Sequence, residues 1–214
     1  MLSLNKIEVY PLNKLLAEDP LAIAKNLLNQ YLISQIDDKP VISRIVETEA
    51  YKAPEDKASH AYGNKRTDRT RIMFEKGGIA YVYLCYGIHD MLNVVSGPEN
   101  MAHAILIRAV EIIEGEDAVL QRRSLSNLRN ACNGPGKLCK ALGISRAHNG
   151  IQLCDKNSAV WLGCSDELSD SRIISGPRVG VAYAEECAHW PLRFRIKDNP
   201  WSSKPDQVIY NKSH

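Results

Sequence analysis

Between residues 41 and 48 the chain places Val41, Ile42, Ile45, Val46 and Thr48, and this run constrains the fold more than any other feature. Side chains branched at Cβ are stiff about χ1 and crowd a helix, whereas on a pleated strand they pack well against their neighbours. The segment is therefore expected to be a strand. Asp37-Asp38-Lys39-Pro40 just before it has the composition of a tight turn, and residues 32–36 read as a second strand, so the two should form a hairpin. Pro54 and the charges around it mark the exit into a loop, near Ala50. Glu47 and Glu49 lie two residues apart and so project from one face, roughly 6.5 Å from each other along the strand. Such a pair is commonly a solvated patch partnered by a neighbour such as Arg44; the alternative is that one of them serves as a base. Tyr51 and His60 follow closely, two flat rings able to stack on a flat ligand while a carboxylate handles a proton or a water.

Upstream of the hairpin, Asp19 is a natural N-cap, Pro20 suits the first helical position, and Ile23, Ala24, Leu27, Leu28 and Tyr31 recur at three- and four-residue spacing, an amphipathic helix. Downstream, residues 64–76 are a basic loop in which Lys65, Arg66, Arg69 and Arg71 either form a solvated surface or meet phosphates. After Gly77-Gly78 comes a strand, 79–84, with Tyr81 and Tyr83 on one face, Cys85 as a small buried residue and Tyr86-Gly87 at a bend. Residues 91–95 and 104–109 continue the sheet, and residues 116–123 form a helix with acids early and bases late. Gly134-Pro-Gly-Lys-Leu138 has the look of a nucleotide cradle, but Leu138 stands where such a loop needs Ser or Thr, which excludes an ATPase. The short helix that follows, closed by Gly143, still offers free amides and Lys137, suited to one backbone phosphate. Asn149-Gly150 signals a hairpin, and residues 160–162, 176–183 and 192–196 read as further strands. Arg178, Arg193 and Arg195 are expected either to pair with Glu185 and Glu186 or to face a ligand, and the tail beyond Trp201, above all 204–214, to be frayed.

Many short strands with few helices between them imply an α+β fold, a curved and mainly antiparallel sheet flanked by helices. With 214 residues, 44% hydrophobic and 24% charged, the chain suits one domain spanning 1–214. A net charge of only +2 means that any polyanion must be met by a local patch. The six cysteines contain no Cys-x-x-Cys pair and the six histidines do not fall at zinc spacing from them, so neither a metal nor another cofactor is expected. No stretch reaches the length of a membrane span and the N-terminus lacks signal character, so a soluble, cytoplasmic protein is expected, nucleoid-associated in a bacterium or nuclear in a eukaryote.

Several segments carry more than local structure: Glu-Thr-Glu-Ala-Tyr-x-x-Pro-Glu-Asp-x-Ala-x-His at 47–60, Arg-Thr-x-Arg-x-x-x-Met-Phe at 66–74, Tyr-Val-Tyr-x-x-Tyr-Gly at 81–87, the strand with Asn93, Arg108-Ala109, Gly134-Pro-x-Lys-Leu, and Gly-Pro-Arg-Val-Gly-Val-x-Tyr-Ala at 176–184. In this order, over residues 10 to 203, they closely resemble the alkyladenine (3-methyladenine) DNA glycosylase family. The resemblance implies excision of alkylated or deaminated purines, hypoxanthine among them, from double-stranded DNA to leave an abasic site, the first step of base excision repair; the protein is expected to act as a monomer. By the same resemblance Glu49 would activate water with Arg108 beside it. Tyr51, His60 and Tyr83 would surround an extruded purine, Asn93 would crowd the amine of guanine, and Tyr86 would wedge into the duplex. Tyr62 and Asp68 depart from the family pattern, where arginine and proline are usual, and bear on the loop's phosphate contacts.

These roles agree with the chemistry of the problem. A purine in a duplex hides both faces, so it must be extruded at a cost of a few kcal/mol, offset by new aromatic faces and a side chain that fills the gap. Breaking the N-glycosidic bond builds positive charge on the sugar, which a carboxylate stabilises. Two rival readings are a hydrolase of free nucleosides, which has no use for Tyr86 or the cations, and a non-catalytic nucleic-acid-binding module, in which Glu49 is dispensable.

Overall fold

A computed structural model describes residues 4–203. In chain order, and among those residues, it contains helix α1 (Pro20–Asn26), strands β1 (Tyr31–Ile36), β2 (Lys39–Tyr51), β3 (Ala80–Cys85), β4 (His89–Ser96) and β5 (His103–Glu114), helices α2 (Glu116–Arg123) and α3 (Pro135–Leu142), and strands β6 (Val160–Gly163), β7 (Ile173–Gly176) and β8 (Arg193–Ile196). All strand pairs are antiparallel, in the order β3-β4-β5-β2-β1-β6, with β8 joining β7 to β2. This is the expected α+β fold. The expected hairpin is β1–β2, its turn made by Asp37 and Asp38, both at positive φ.

The long strand β2 organises the sheet. One edge pairs with β5; the other is divided, β1 taking residues 39–44 and β8 taking 47–49. Ile45 and Val46 are consecutive, yet both join the same core, packed with α1, α2 and α3. A regular pleat would send them to opposite faces. The register against β5 shifts between Ile45 and Glu47, leaving Val46 as an inserted residue that bends the strand where the two glutamates begin. On the other face, Met73 and Phe74 from the basic loop pack on Tyr81, Val95 and Ala104.

Five local expectations are corrected. Helix α1 is capped as anticipated, the Asp19 carboxylate accepting from Leu21 N at 2.9 Å, a cap worth about 1 kcal/mol. It stops at Asn26 and not at Tyr31, because Asn29 adopts φ +70° and donates its N–H to Ile45 O, turning the chain into β1. Asn149-Gly150 joins no two strands. Asn149 Oδ1 accepts from Val82 N at 2.9 Å and Gly150 N donates to Ala80 O, which closes the open edge of β3. Residues 176–183 are not a strand beyond Gly176: Pro177 lacks an N–H, and the N–H of Val179 is spent on a carboxylate, leaving no ladder. Cys85 is half-exposed. Ser203 is not frayed but hydrogen-bonded to Glu47, while the stretch 204–214 lies outside the described residues.

Candidate active site

The end of β2 at Tyr51, strand β5, the β3–β4 hairpin, the loop through His60 and the segment 179–183 enclose a cavity of about 510 Å³, a size usual for small-molecule sites. Of the residues singled out from sequence, Tyr51, His60, Arg69, Tyr83, Tyr86, Asn93 and Arg108 line it. Glu49 is fully buried beneath that lining, in contact with three of its members: Tyr51, Arg108 and Val179. Lys65, Arg66, Arg71 and Lys137 lie outside the lining.

The two glutamates are near each other but differently engaged. Glu47 Oε1 accepts from Arg108 Nε at 3.0 Å, Arg193 Nε at 2.7 Å and Ser203 Oγ at 2.8 Å, and its Oε2 from Ser203 N at 2.7 Å. Burial pushes the Glu47 carboxyl up, but the Arg108 and Arg193 charges and the Ser203 hydrogen bonds outweigh it and hold the group below its usual 4.5. Glu49 Oε1 accepts from Val179 N at 2.7 Å with Arg108 Nε 3.4 Å away, and Oε2 accepts from the Tyr51 hydroxyl at 2.8 Å. Burial first, then the Glu49 charge, raises the Tyr51 phenol well above 10, so it stays protonated and donates. Among the described residues Glu47 accepts four hydrogen bonds, three of them at Oε1 and one at Oε2, whereas Glu49 accepts two, one at each oxygen. Of the two, Glu49 retains the greater capacity for a further hydrogen bond.

Three rings form one wall. His60 meets Tyr83 edge-on with centroids 4.6 Å apart, and Tyr81 and Tyr83, two apart on β3, lie 5.3 Å apart. His60 Nε2 is 3.2 Å from Arg69 Nη2, which can only donate, so Nε2 is the bare nitrogen and Nδ1–H donates to the Tyr81 hydroxyl at 2.9 Å. Burial, and then the neighbouring Arg69 charge, lower the His60 pKa from 6.5 to about 4. The ring is thus neutral at pH 7. An NMR titration should find its midpoint near 4, and Arg69→Gln should move it upward; a midpoint near 6.5 would contradict the packing. Asn93 is locked as well, its Nδ2 donating to Tyr81 O at 3.1 Å.

Tyr86 stands at the hairpin tip beside the cavity, 86% exposed. In the three-residue connection 86–88 it adopts φ +50° and Gly87 φ +74°, a left-handed pair closed by Ile88 N donating to Cys85 O at 3.1 Å. An aromatic residue is disfavoured there, and a strained, solvated ring at a cavity mouth marks a site kept for something other than stability.

The expected cations are distributed unevenly. Lys65, Arg71 and Lys137 are exposed, Lys137 reaching Asn133 Oδ1 at 2.9 Å near the start of α3, whose Pro135 lines the cavity. Arg66 lies over the Phe74 ring and donates to Asn100, and Arg69 lies over Tyr83. Arg122 and Arg123 donate to backbone carbonyls of Ile36 and Ala131 and are structural. Glu185 and Glu186 pair with Lys57, not with the arginines; Arg178 pairs with Asp56 and Arg193 with Glu47. Sequence reasoning missed Asp56, Tyr81, Ser203 and the Val179 N–H as members of the site. Asp56, Tyr81 and Val179 lie within the motifs quoted above, which was the available signal; Ser203 lies in none of them.

The family described as Methylpurine-DNA glycosylase matches residues 14–200. A Bacillus cereus (strain G9842) protein named "Putative 3-methyladenine DNA glycosylase" is 43% identical over 194 residues, covering 87% of this chain and 95% of its own length. A protein of the same name from Chlamydia felis is 43% identical over 183 residues, 85% of this chain and 92% of its own. A third, from Bacillus mycoides, is also 43% identical over 194 residues. A match that spans the sheet, the buried carboxylates and the aromatic cavity together leaves one assignment: the chain belongs to the methylpurine-DNA glycosylase family.

Proposed function

We propose that this protein excises methylated purines of the 3-methyladenine type, and deaminated ones such as hypoxanthine, from double-stranded DNA, acting as a monomer and leaving an abasic site. The observation that carries the reading is a fully buried carboxylate with spare hydrogen-bonding capacity, Glu49, at the floor of an aromatic cavity whose mouth bears the exposed ring of Tyr86. The extruded base stacks against His60, Tyr83 and Tyr51, with Asn93 crowding a guanine amine, and Tyr86 fills the gap in the duplex. Lys65, Arg66, Arg71 and Lys137 meet phosphates, and Arg69 joins them by leaving Tyr83 and His60.

The chemistry is a hydrolysis. As the C1′–N bond breaks, its electron pair leaves with the base and positive charge grows on the sugar, towards the Glu49 carboxylate. Water bonds to C1′ and gives its proton to Glu49, which Tyr51, Val179 N–H and Arg108 hold in place. Among the described residues no lysine lines the cavity, which favours water over an amine as nucleophile. The test is release of free base from a duplex with one defined methylated or deaminated purine, with undamaged duplex and free nucleoside as controls. Release from the nucleoside alone would make the protein a nucleoside hydrolase, and lesion binding without release would make it a binding module.

The wedge has its own expected result. Tyr86→Ala should weaken capture of the extruded base by about 1–3 kcal/mol while leaving Glu49 untouched. Fluorescence of a 2-aminopurine placed beside the lesion should rise less on binding, and Tyr86→Phe should restore most of the rise. Normal capture by Tyr86→Ala would remove the wedge role.

A further inference from the structure

Arg178 and Asp56 take no part in the steps above, yet both side chains are fully buried. The guanidinium grips Asp56 with two nitrogens, Nη1 on Oδ2 and Nη2 on Oδ1 at 2.8 Å, and also donates to Ala50 O at 3.0 Å and Cys187 O at 3.2 Å. Its carbon lies 4.6 Å from the centroid of the Tyr51 ring. Asp56 in turn accepts from the backbone N–H groups of Lys52 and Ala58, shaping the loop that leads to His60. One ion pair thus ties together the end of β2, the His60 loop and the segment after residue 176.

Both hydrogen bonds that orient Glu49 come from groups that Arg178 holds. The Tyr51 hydroxyl belongs to the ring under the guanidinium, and the Val179 N–H belongs to the next peptide along the chain. Burying two charges is a poor route to stability, since well-packed apolar side chains generally do as well. What a bidentate, planar pair supplies is direction. We propose that Arg178 and Asp56 are a positioning pair for the reaction: by fixing the Tyr51 ring and the Val179 peptide they set the orientation of the Glu49 carboxylate beneath the cavity. This rests on the glycosylase reading above.

The test compares Arg178→Lys, which keeps the charge but loses the fork and the stacking plane, with Tyr51→Phe and with the double variant. Asp56→Asn serves in its place if Arg178→Lys does not fold. Single-turnover base release, lesion-duplex affinity, melting temperature and hydrogen exchange of the Val179 amide are measured on each folded protein. Arg178→Lys should slow release on the order of 10- to 100-fold with affinity within about threefold of wild type, as expected of a small misplacement of a reacting group. The double variant should be no slower than the slower single variant, because both changes act through Glu49. A purely structural role would lower the melting temperature and leave the rate of the folded protein unchanged; that result, or defects that multiply, would overturn the proposal. If the wild-type chain releases no base, the glycosylase reading fails separately. The pair is then judged on the Val179 amide, which loses exchange protection in Arg178→Lys if the pair holds it and keeps it if the pair does not.

Discussion

Glu49→Gln is expected to bind a lesion-bearing duplex about as tightly as the unaltered chain and to release base at least about 100-fold more slowly in a single turnover. The substitution keeps the side chain's length and shape, so the cavity and the exposed Tyr86 are undisturbed. It removes two things at once. An amide does not take the proton of the attacking water, and it carries no charge to offset the one growing on the sugar. It also replaces an acceptor by a donor at one of two oxygens that already receive the Tyr51 O–H and the Val179 N–H. Binding by filter retention and release by denaturing gel separate the two steps. A rate within about tenfold of wild type would remove Glu49 from the chemistry.

Glu47→Gln should fail differently, by losing stability. Its carboxylate sits between two buried guanidiniums, Arg108 and Arg193, and accepts twice from Ser203. Removing one partner of such a cluster leaves buried positive charge uncompensated, a loss of about 3–5 kcal/mol. For a domain of this size that corresponds to a melting temperature lower by roughly 6–20 °C. The pH dependence has a definite sign. The folded Glu47 carboxyl lies below its usual 4.5, so its contribution is complete above 4.5 and is lost as the pH falls through the lower, folded value. Glu47→Gln should therefore narrow the gap in stability between neutral and acid pH, seen in denaturant melts. Full stability together with a rate defect as severe as that of Glu49→Gln would mean that the roles of the two carboxylates are exchanged.

What the sequence determined on its own was local chemistry. The β-branched run made β2 a strand, Asp37-Asp38 made its turn, Asp19-Pro20 started α1, and alternation put Tyr81 and Tyr83 on one face. The segments spread between residues 47 and 184 pointed to the family, because a long ordered set of motifs is specific even where each piece is not. Where partners are distant, reading from neighbours failed. Asn149-Gly150 has turn chemistry, but β3 had an open edge to be closed, 67 residues away. Residues 176–183 alternate like a strand, but Pro177 has no N–H and that of Val179 goes to Glu49. The choice between Glu47 and Glu49, two residues apart with the same side chain, belonged wholly to the tertiary structure. It turns on Arg108, Arg193 and Ser203 around one, 61, 146 and 156 positions away, and on Val179, 130 positions away, beside the other. A carboxylate's availability depends on how many donors already reach its oxygens, and in a folded chain those donors come from residues that periodicity and spacing do not connect.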